Sequence, residues 1–428
     1  MKVLVVGSGG REHAITRALG ASEVVDEVHA AVSNRNPGIV ELTDSVREVD
    51  TTSPGDIVEY ANEVDVGYAV VGPEAPLEAG VVDALEDAGV YGFGPRADDA
   101  RIETDKAWAR RFMEENGVPG APRFEVFEEA DEAAEYVVEQ EGDVAVKPHG
   151  LTGGKGVRVT GDQVTKEEAA EYVRDSDWDD WVIEERLVGE EFTLQAFVAD
   201  GELRPSPAVQ DHKRAYEGDQ GPNTGGMGSY NDAGRVLPFM TEDDYDAALE
   251  IMEQVIEGLD DYRGILYGQF MLTDEGPKVV EFNARFGDPE AMNVLPLLET
   301  DFGEVVRGAS EGAMPEVDFA ENATVCKYAV PDGYPTNPEA GAEIYIDAEG
   351  DDGTLVFYAS VDARNGKVYT TTSRAVGVVG VGEDISEAER RAEEALGDVG
   401  EGLRVRHDIG KTDVVQKRID HMRELRGE

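Results

Sequence analysis

Short apolar runs in the first hundred residues lead into glycine or proline and then into stretches of helical spacing. Residues 2–6 run into Gly7-Ser8-Gly9-Gly10, and residues 12–19 then carry helical spacing. Residues 28–32, 66–71 and 90–93 repeat the strand pattern. The run 66–71 closes in Gly72-Pro73, 90–93 closes in Gly94-Pro95, and a helix is predicted over 77–88 between them. Strands alternating with helices restrict a chain to a parallel, doubly wound sheet, because each parallel strand needs a long crossover that packs on the sheet face. Ligands of such sheets sit beyond the strand C-termini. Both glycine-rich ends, 7–10 and 72–73, belong to that edge.

The pattern changes after residue 100. A helix over 104–116 has Pro119 and Pro122 just beyond it. A helix at 129–140, a strand at 144–147, a glycine-rich loop and a strand at 156–159 follow, then strands at 182–185 and 192–199. Residues 204–238 are rich in Pro, Gly and Asn and read as a long loop, which in a compact protein is usually functional. A helix at 243–258 precedes strands 265–272 and 278–282, joined by a turn through Asp274-Glu275-Gly276. From about 323, short strands near 325–330, 342–346, 355–361 and 367–379 and a helix at 386–396 read as a small β-rich module. Cuts near 100 and 320 give three domains, in keeping with 428 residues at roughly 150 per domain.

Charge excludes several classes of partner. Ninety-two acidic residues oppose 38 basic ones, a formal net charge of −54. Nucleic acids and anionic membranes need a basic surface, so neither is an expected partner. Only 11 of the 38 positive charges are lysine. An acidic surface poor in lysine suits very high salt, where counterions screen self-repulsion. The single cysteine, Cys326, allows no intrachain disulfide and agrees with a reducing compartment. No run of about 18 apolar residues occurs, and the N-terminal run is too short for a signal peptide. A soluble, cytoplasmic protein is expected.

Five segments carry chemistry. In Val6-Gly7-Ser8-Gly9-Gly10-Arg11-Glu12-His13 the glycines let backbone N–H groups approach an anion at a helix N-terminus. A dinucleotide fingerprint is broken, because Glu12 stands at the third glycine position and no ribose-binding acid closes the second strand. A phosphate-bearing small molecule with Arg11 as counter-charge fits, as does a tight βα turn with no ligand. The loop Lys147-Pro148-His149-Gly150-Leu151-Thr152-Gly153-Gly154-Lys155-Gly156 is no Walker loop, since Gly follows Lys155. Two of the scarce lysines flank it, so it reads as a lid over nucleotide phosphates or as a surface hairpin. Residues 182–192 offer backbone donors for an adenine and Glu191 for a ribose hydroxyl, or an ordinary acidic surface. On the strands 267–271 and 280–283, Gln269, Glu281 and Asn283 suit Mg²⁺, which takes few protein ligands and completes its shell with water and phosphate. Arg285 follows, placed to stabilise a phosphoryl group in transfer; a polar strand face is the plainer reading. Gln210-Asp211-His212-Lys213-Arg214 and 221–228 place a basic trio in a strongly acidic chain, which suggests a second anion, a carboxylate substrate or a structural loop.

Together these blocks resemble the glycinamide ribonucleotide synthetase (phosphoribosylamine–glycine ligase) family, ATP-grasp enzymes of purine synthesis. The likeness rests on VVGSGGREHA at 5–14, VGPEAPL at 71–77, GLTGGKGV at 150–157, QDHKR at 210–214, GPNTGGMG at 221–228 and EFNARFGDPE at 281–290. It implies an α/β chain in three parts. Residues 1–103 would be a doubly wound pre-ATP-grasp domain binding phosphoribosylamine. Residues 104–312 would be an ATP-grasp domain with a mobile lid over about 117–187, and 320–428 a small C-terminal domain. ATP would contact Lys106, Lys147, Gly153, Gly154, Lys155, Gly156, Glu184, Leu187 and Glu191. Mg²⁺ or Mn²⁺ would sit on Glu281 and Asn283, with Gln269 beside them. Glycine and phosphoribosylamine would meet Gly9, Gly10, Arg11, Glu12, Glu74, Asp211, Lys213, Asn223 and Asp288. Lys155 and Arg285 would act on the transferring group, and the enzyme is expected to be a monomer. Two departures stand out. His149 and Thr152-Gly153 differ from the KxDGLAAGKG lid of many members. Gln269 replaces an acid common in the wider group, which weakens a second metal position.

The implied reaction activates a carboxylate by phosphorylation, because carboxylate oxygen is a poor leaving group. ATP would convert glycine to glycyl phosphate, and the sugar amine would then displace phosphate. A different ATP-grasp acceptor and a non-catalytic nucleotide-binding protein are the alternatives, and a dehydrogenase comes last.

Overall fold

The computed structural model describes residues 1–150, 156–178, 180–345, 353–397 and 400–428. The N-terminal segment forms a five-stranded parallel sheet in the order Ser45–Glu48, Glu27–Val32, Lys2–Val6, Tyr68–Val71, Tyr91–Phe93. Lys2–Val6 is central, and Val3 to Val6 are fully buried, as an apolar run covered on both faces requires. The strand order reverses between Lys2–Val6 and Tyr68–Val71, so the crevice beyond those two ends is the ligand position of this sheet. Gly7, at φ +123°, and Gly72 close them, and a Cβ on either would overlap the Glu12 side chain.

The chain then builds two antiparallel sheets. The larger runs Glu202–Pro205, Glu190–Ala199, Gly264–Thr273, Gly276–Asn283. The smaller runs Phe124–Phe127, Trp181–Glu185, Val144–Pro148, Arg158–Val159. Helices Ala130–Glu139 and Lys166–Asp175 cover the smaller sheet around a core of its own, including Ala133, Val137, Val146, Val173 and Trp181. Its hydrophobic contacts are separate from the main core, the arrangement of a unit that can move as a body.

A last sheet contains Ala323–Pro331, Val376–Gly382, Thr354–Tyr358 and Leu403–Val405, covered by helix Ile385–Leu396. It is not a self-contained C-terminal module. Gln210–Asp211 and Gly228–Asn231, from the segment read as a loop, extend it, with Gly228 opposite Lys327 and Asn231 opposite Thr324. The helix Thr412–Arg426 returns to the middle of the chain, where Arg418 and His421 each reach Glu190 at 2.6 Å.

Three elements differ from the sequence reading for local reasons. The helix over 104–116 begins at Lys106, because Asp105 caps it by accepting from Trp108 N at 2.8 Å, and a further helix, Ala97–Thr104, precedes it. The helix over 77–88 is two, Glu74–Glu78 and Val81–Asp87, parted by Gly80 at φ +77°. The strand over 342–346 is reduced to one bridge, Glu343 to Tyr369, and residue 346 lies outside the described residues. Among the described residues no helix is long and apolar enough to cross a membrane.

Candidate active site

Two chambers meet against the larger antiparallel sheet. One, of about 490 Å³, lies between that sheet and the smaller one and is lined by Lys147, Glu184, Leu187, Glu191 and Gln269 among others. The other, of about 330 Å³, faces the N-terminal sheet and is lined by Arg11, Glu74, Glu103, Lys106, Asn283, Arg285 and Asp288 among others. Asp211, Lys213, Asn223 and Glu281 line both and mark the junction.

The first chamber is organised by a bulge. Gln269 pairs with Glu281 but Phe270 pairs with Val279, so Val280 is the extra residue. Such a bulge turns a carbonyl out of the ladder. The Val280 carbonyl accepts from Arg110 Nη2 at 2.7 Å and Lys147 Nζ at 3.0 Å. Both cations also hold Glu184. Arg110 donates to its two oxygens at 2.7 and 3.0 Å, and Lys147 donates at 2.7 Å. Burial alone would raise the Glu184 carboxyl, but Arg110 and Lys147 outweigh it and hold it below the usual range. Burial lowers Lys147, with Glu184 opposing. Lys106 Nζ donates to the Gly150 carbonyl at 2.5 Å, at the edge of the glycine loop. Gly153, Gly154 and Lys155 lie outside the described residues. Gly156 is buried, lines neither chamber, and accepts from Tyr172 OH at 3.0 Å.

At the junction, alternation along Gly276–Asn283 puts Glu281 and Asn283 on one face. Burial works against the charge of Glu281, but Lys213, Lys106, Lys147 and Arg285 hold it ionised. Lys213 approaches it only to 4.0 Å, so its oxygens remain open to a cation. Gln269 is engaged otherwise: its oxygen accepts from Lys213 at 2.5 Å and its amide donates to Glu191 at 3.0 Å. One lone pair of its oxygen is therefore taken by Lys213, and a neutral amide is a weaker metal ligand than the Glu281 carboxylate. One carboxylate and one amide oxygen fit a hard cation that takes its other ligands from phosphate and water. Among the described residues no group of three His, Cys, Asp or Glu could hold a metal without such help.

On the N-terminal side, Arg285 lies between carboxylates. It reaches Glu103 at 2.8 Å and Glu74 at 3.4 Å, and donates to Asn283 Oδ1 at 3.2 Å. Its Nε is the atom that faces Glu74, at a distance and angle short of a full hydrogen bond. Against burial, Arg285 and Arg11 hold Glu74 down at about 2. Burial pushes Glu103 up to about 7, with Arg285 opposing. Asp288 accepts from Tyr328 OH at 2.7 Å, and its carbonyl from Arg374 at 2.8 Å. Arg11 donates to Glu12 at 2.5 Å and to the Phe286 carbonyl at 3.1 Å.

Gly9, Gly10 and Glu12 line neither chamber. The Glu12 carboxylate accepts from Gly9 N at 2.6 Å and from Arg11, closing the start of helix Gly10–Gly20. It positions Arg11 and has little capacity left for a substrate. Gly10 is packed against Tyr328 and Met292. The sequence reading missed Glu103, Arg110, Tyr267, Glu290 and Arg374, all of which line a chamber or hold a residue that does. Charge next to apolar spacing, as in Lys106–Glu115, was the available sign for Arg110.

Comparison with known proteins adds three findings. The models described as Phosphoribosylglycinamide synthetase N domain, ATP-grasp (A) domain and C domain match residues 1–103, 104–291 and 324–412. The phosphoribosylamine–glycine ligases of Methanocella arvoryzae and Methanosarcina barkeri are each 52% identical, over 437 and 436 residues, covering all of both chains. A crystal structure of phosphoribosylamine–glycine ligase from Thermotoga maritima superposes with a TM-score of 0.80 at 31% identity, covering 95% of this chain and 100% of that one. The biotin carboxylase domain of Hydrogenobacter thermophilus 2-oxoglutarate carboxylase shares the fold, with a TM-score of 0.72 at 17% identity over 99% of this chain and 93% of that one.

Proposed function

The chain belongs to the phosphoribosylglycinamide synthetase family, and we propose that its two chambers divide that family's reaction into a nucleotide side and an acceptor side. The reaction is the ATP-dependent ligation of glycine to 5-phosphoribosylamine in purine biosynthesis, through glycyl phosphate, giving glycinamide ribonucleotide, ADP and phosphate. The observation that carries the division is the shared junction, where Glu281 and Lys213 face both chambers.

On the nucleotide side, Lys147 holds phosphate oxygens, Lys106 reaches them from the chamber it lines next door, and Glu184, Leu187 and Glu191 surround the nucleoside. Gly153–Gly156, with Lys155, close over the phosphates as the lid. Glu281 and Asn283 would hold Mg²⁺ or Mn²⁺, which supplies charge neutralisation on the polyphosphate. A glycine carboxylate oxygen attacks the γ-phosphorus and the bond to ADP breaks. Arg285, which lines the acceptor chamber beside Glu74 and Glu103, stabilises the charge spread over the transferring group. The closed lid keeps water from the acyl phosphate. On the acceptor side, Arg11, Glu74 and Asp288 place the phosphoribosylamine, with the Gly9-Gly10 backbone beside Arg11. Its amine attacks the acyl carbon, phosphate leaves with the C–O bond electrons, and the nitrogen gives up a proton. The protein contributes placement and charge, with no covalent nucleophile.

The test is ADP release at molar KCl with ATP, glycine and freshly made phosphoribosylamine. Release is expected to require both co-substrates, and release independent of glycine removes this reading. The charge of −54 further supports a monomeric, cytoplasmic enzyme of a halophile. Its melting temperature is then expected to rise with KCl; a melt strengthened by removing salt overturns that reading.

A further inference from the structure

The reaction restricts where glycine can lie. Its carboxylate must face the nucleotide chamber, and its acyl carbon must face an amine arriving from the other. Four side chains line both chambers: Asp211, Lys213, Asn223 and Glu281. Glycine arrives as a zwitterion, so its ammonium needs an anion at this junction. Only two of the four are anions. Glu281 has Lys213, Lys106, Lys147 and Arg285 around it and is the carboxylate suited to a divalent cation.

Asp211 remains. Its Oδ1 is buried and has no hydrogen-bond partner among the described residues. A buried carboxylate oxygen left unpaired is costly, which points to a ligand that completes it. The backbone around it is fixed, since Asp211 pairs with Ser229 in the C-terminal sheet. Gly226, at φ +111°, passes so close that a Cβ there would stand 2.8 Å from that oxygen. The wall opposite carries Glu290, which is buried and accepts from Tyr267 OH at 2.8 Å. Burial and then Glu290 push the Asp211 carboxyl well above its ordinary range, a penalty that an arriving cation would relieve.

We propose that Asp211 binds the ammonium of glycine and so sets the preference for an α-amino acid over a simple carboxylate. This rests on the ligase reading above.

The experiment compares glycine with glycolate, in which a hydroxyl replaces the ammonium, in the wild type and in Asp211→Asn. The substitution keeps the shape and resembles the protonated acid. The KM for glycine is expected to rise about ten- to a hundredfold, and discrimination against glycolate to shrink. The KM values for ATP and phosphoribosylamine should stay within about twofold. An unchanged glycine KM overturns the proposal, as does a fall in kcat alone, which would mark a proton acceptor for the attacking amine. Should the variant not fold, the wild type decides: glycine, and not glycolate, should raise its melting temperature beside a non-hydrolysable ATP analogue. Equal protection by both overturns the ammonium site. A wild type that releases no ADP with glycine and phosphoribosylamine overturns the ligase reading and this proposal with it. An active wild type with an indifferent Asp211→Asn overturns this proposal alone.

Discussion

Glu184 and Glu103 lie on opposite sides of the junction, and the side chain of each is 4% exposed. Their proton affinities nevertheless part. Glu184 has two cations to itself, Arg110 and Lys147, and against burial they hold it below the usual range. Glu103 has one, Arg285, shared with Glu74, and burial pushes it up to about 7. With burial equal, the neighbours set the charge: two cations hold Glu184 ionised, whereas Glu103 has one shared cation and the like charge of Glu74 beside it. It also separates the two chambers by readiness. The nucleotide side is paired off in advance and presents Lys147 in a fixed position. The acceptor side keeps Arg285 between two carboxylates, the looser contact being that with Glu74, so that it can turn toward a developing charge.

The largest expected effect tests that second statement. Arg285→Ala should lower turnover about a thousandfold or more, with the KM for ATP little changed. Steady-state kinetics on each substrate checks this, and equal loss in both parameters would deny Arg285 its separate role. The matching change on the nucleotide side is Arg110→Met. It leaves buried Glu184 with Lys147 alone and should destabilise the fold by about 3–5 kcal/mol, measured by urea unfolding. A loss below about 1 kcal/mol would mean that Lys147 suffices and that the count of cations is unimportant.

What the sequence made legible follows the same division. The doubly wound N-terminal sheet showed because its strands are apolar runs closed by glycine, a local signal. The junction carboxylate and amide showed because alternation on one strand puts Glu281 and Asn283 together. Arg110 and Glu103 did not show. Arg110 sits on the helix that Asp105 caps, and Glu103 on the helix just before it, which the sequence reading did not contain. Arg110 lies 74 residues from its partner Glu184, and Glu103 lies more than twice as far along the chain from Arg285. The strands Gln210–Asp211 and Gly228–Asn231 were hidden for a related reason. Both are short and polar; Gly228–Asn231 becomes a strand by pairing with Ala323–Pro331, nearly a hundred residues on, and Gln210–Asp211 by pairing in turn with Gly228–Asn231. That pairing is what carries Asp211 to the junction, and periodicity cannot report it.

A smaller effect isolates Glu103 from Arg285. Its acid keeps its proton in the folded protein up to about pH 7, whereas the unfolded chain releases it near its ordinary value of 4.5. Folding is therefore favoured below that lower value, and the advantage is lost as pH rises toward 7. The slope in this window is at most about 1.4 kcal/mol per pH unit. Glu103→Gln removes it, so the variant should gain on the wild type as urea unfolding is repeated at rising pH in constant salt. A constant difference across the window would show that Arg285 already keeps Glu103 ionised, and the contrast with Glu184 would vanish.

The smallest effect belongs to an ion pair of similar geometry in the open. Asp162, in the turn after the Arg158–Val159 strand, accepts from Arg214 at 2.8 Å, and its side chain is 48% exposed. Its distance matches that of the buried pairs, so distance alone would rank it with Arg110 and Glu184. Water and salt screen it, and Asp162→Asn should cost less than about 1 kcal/mol, fading further as KCl rises. The same contact bridges the smaller sheet to the Arg214–Tyr216 strand, so a modest rise in the ADP off-rate is expected even where stability does not move. Stopped-flow release of a fluorescent ADP measures it. If Asp162→Asn proved as damaging to stability as Arg110→Met, environment would not be what distinguishes these pairs, and the reading of Glu184 and Glu103 by their partners would lose its basis.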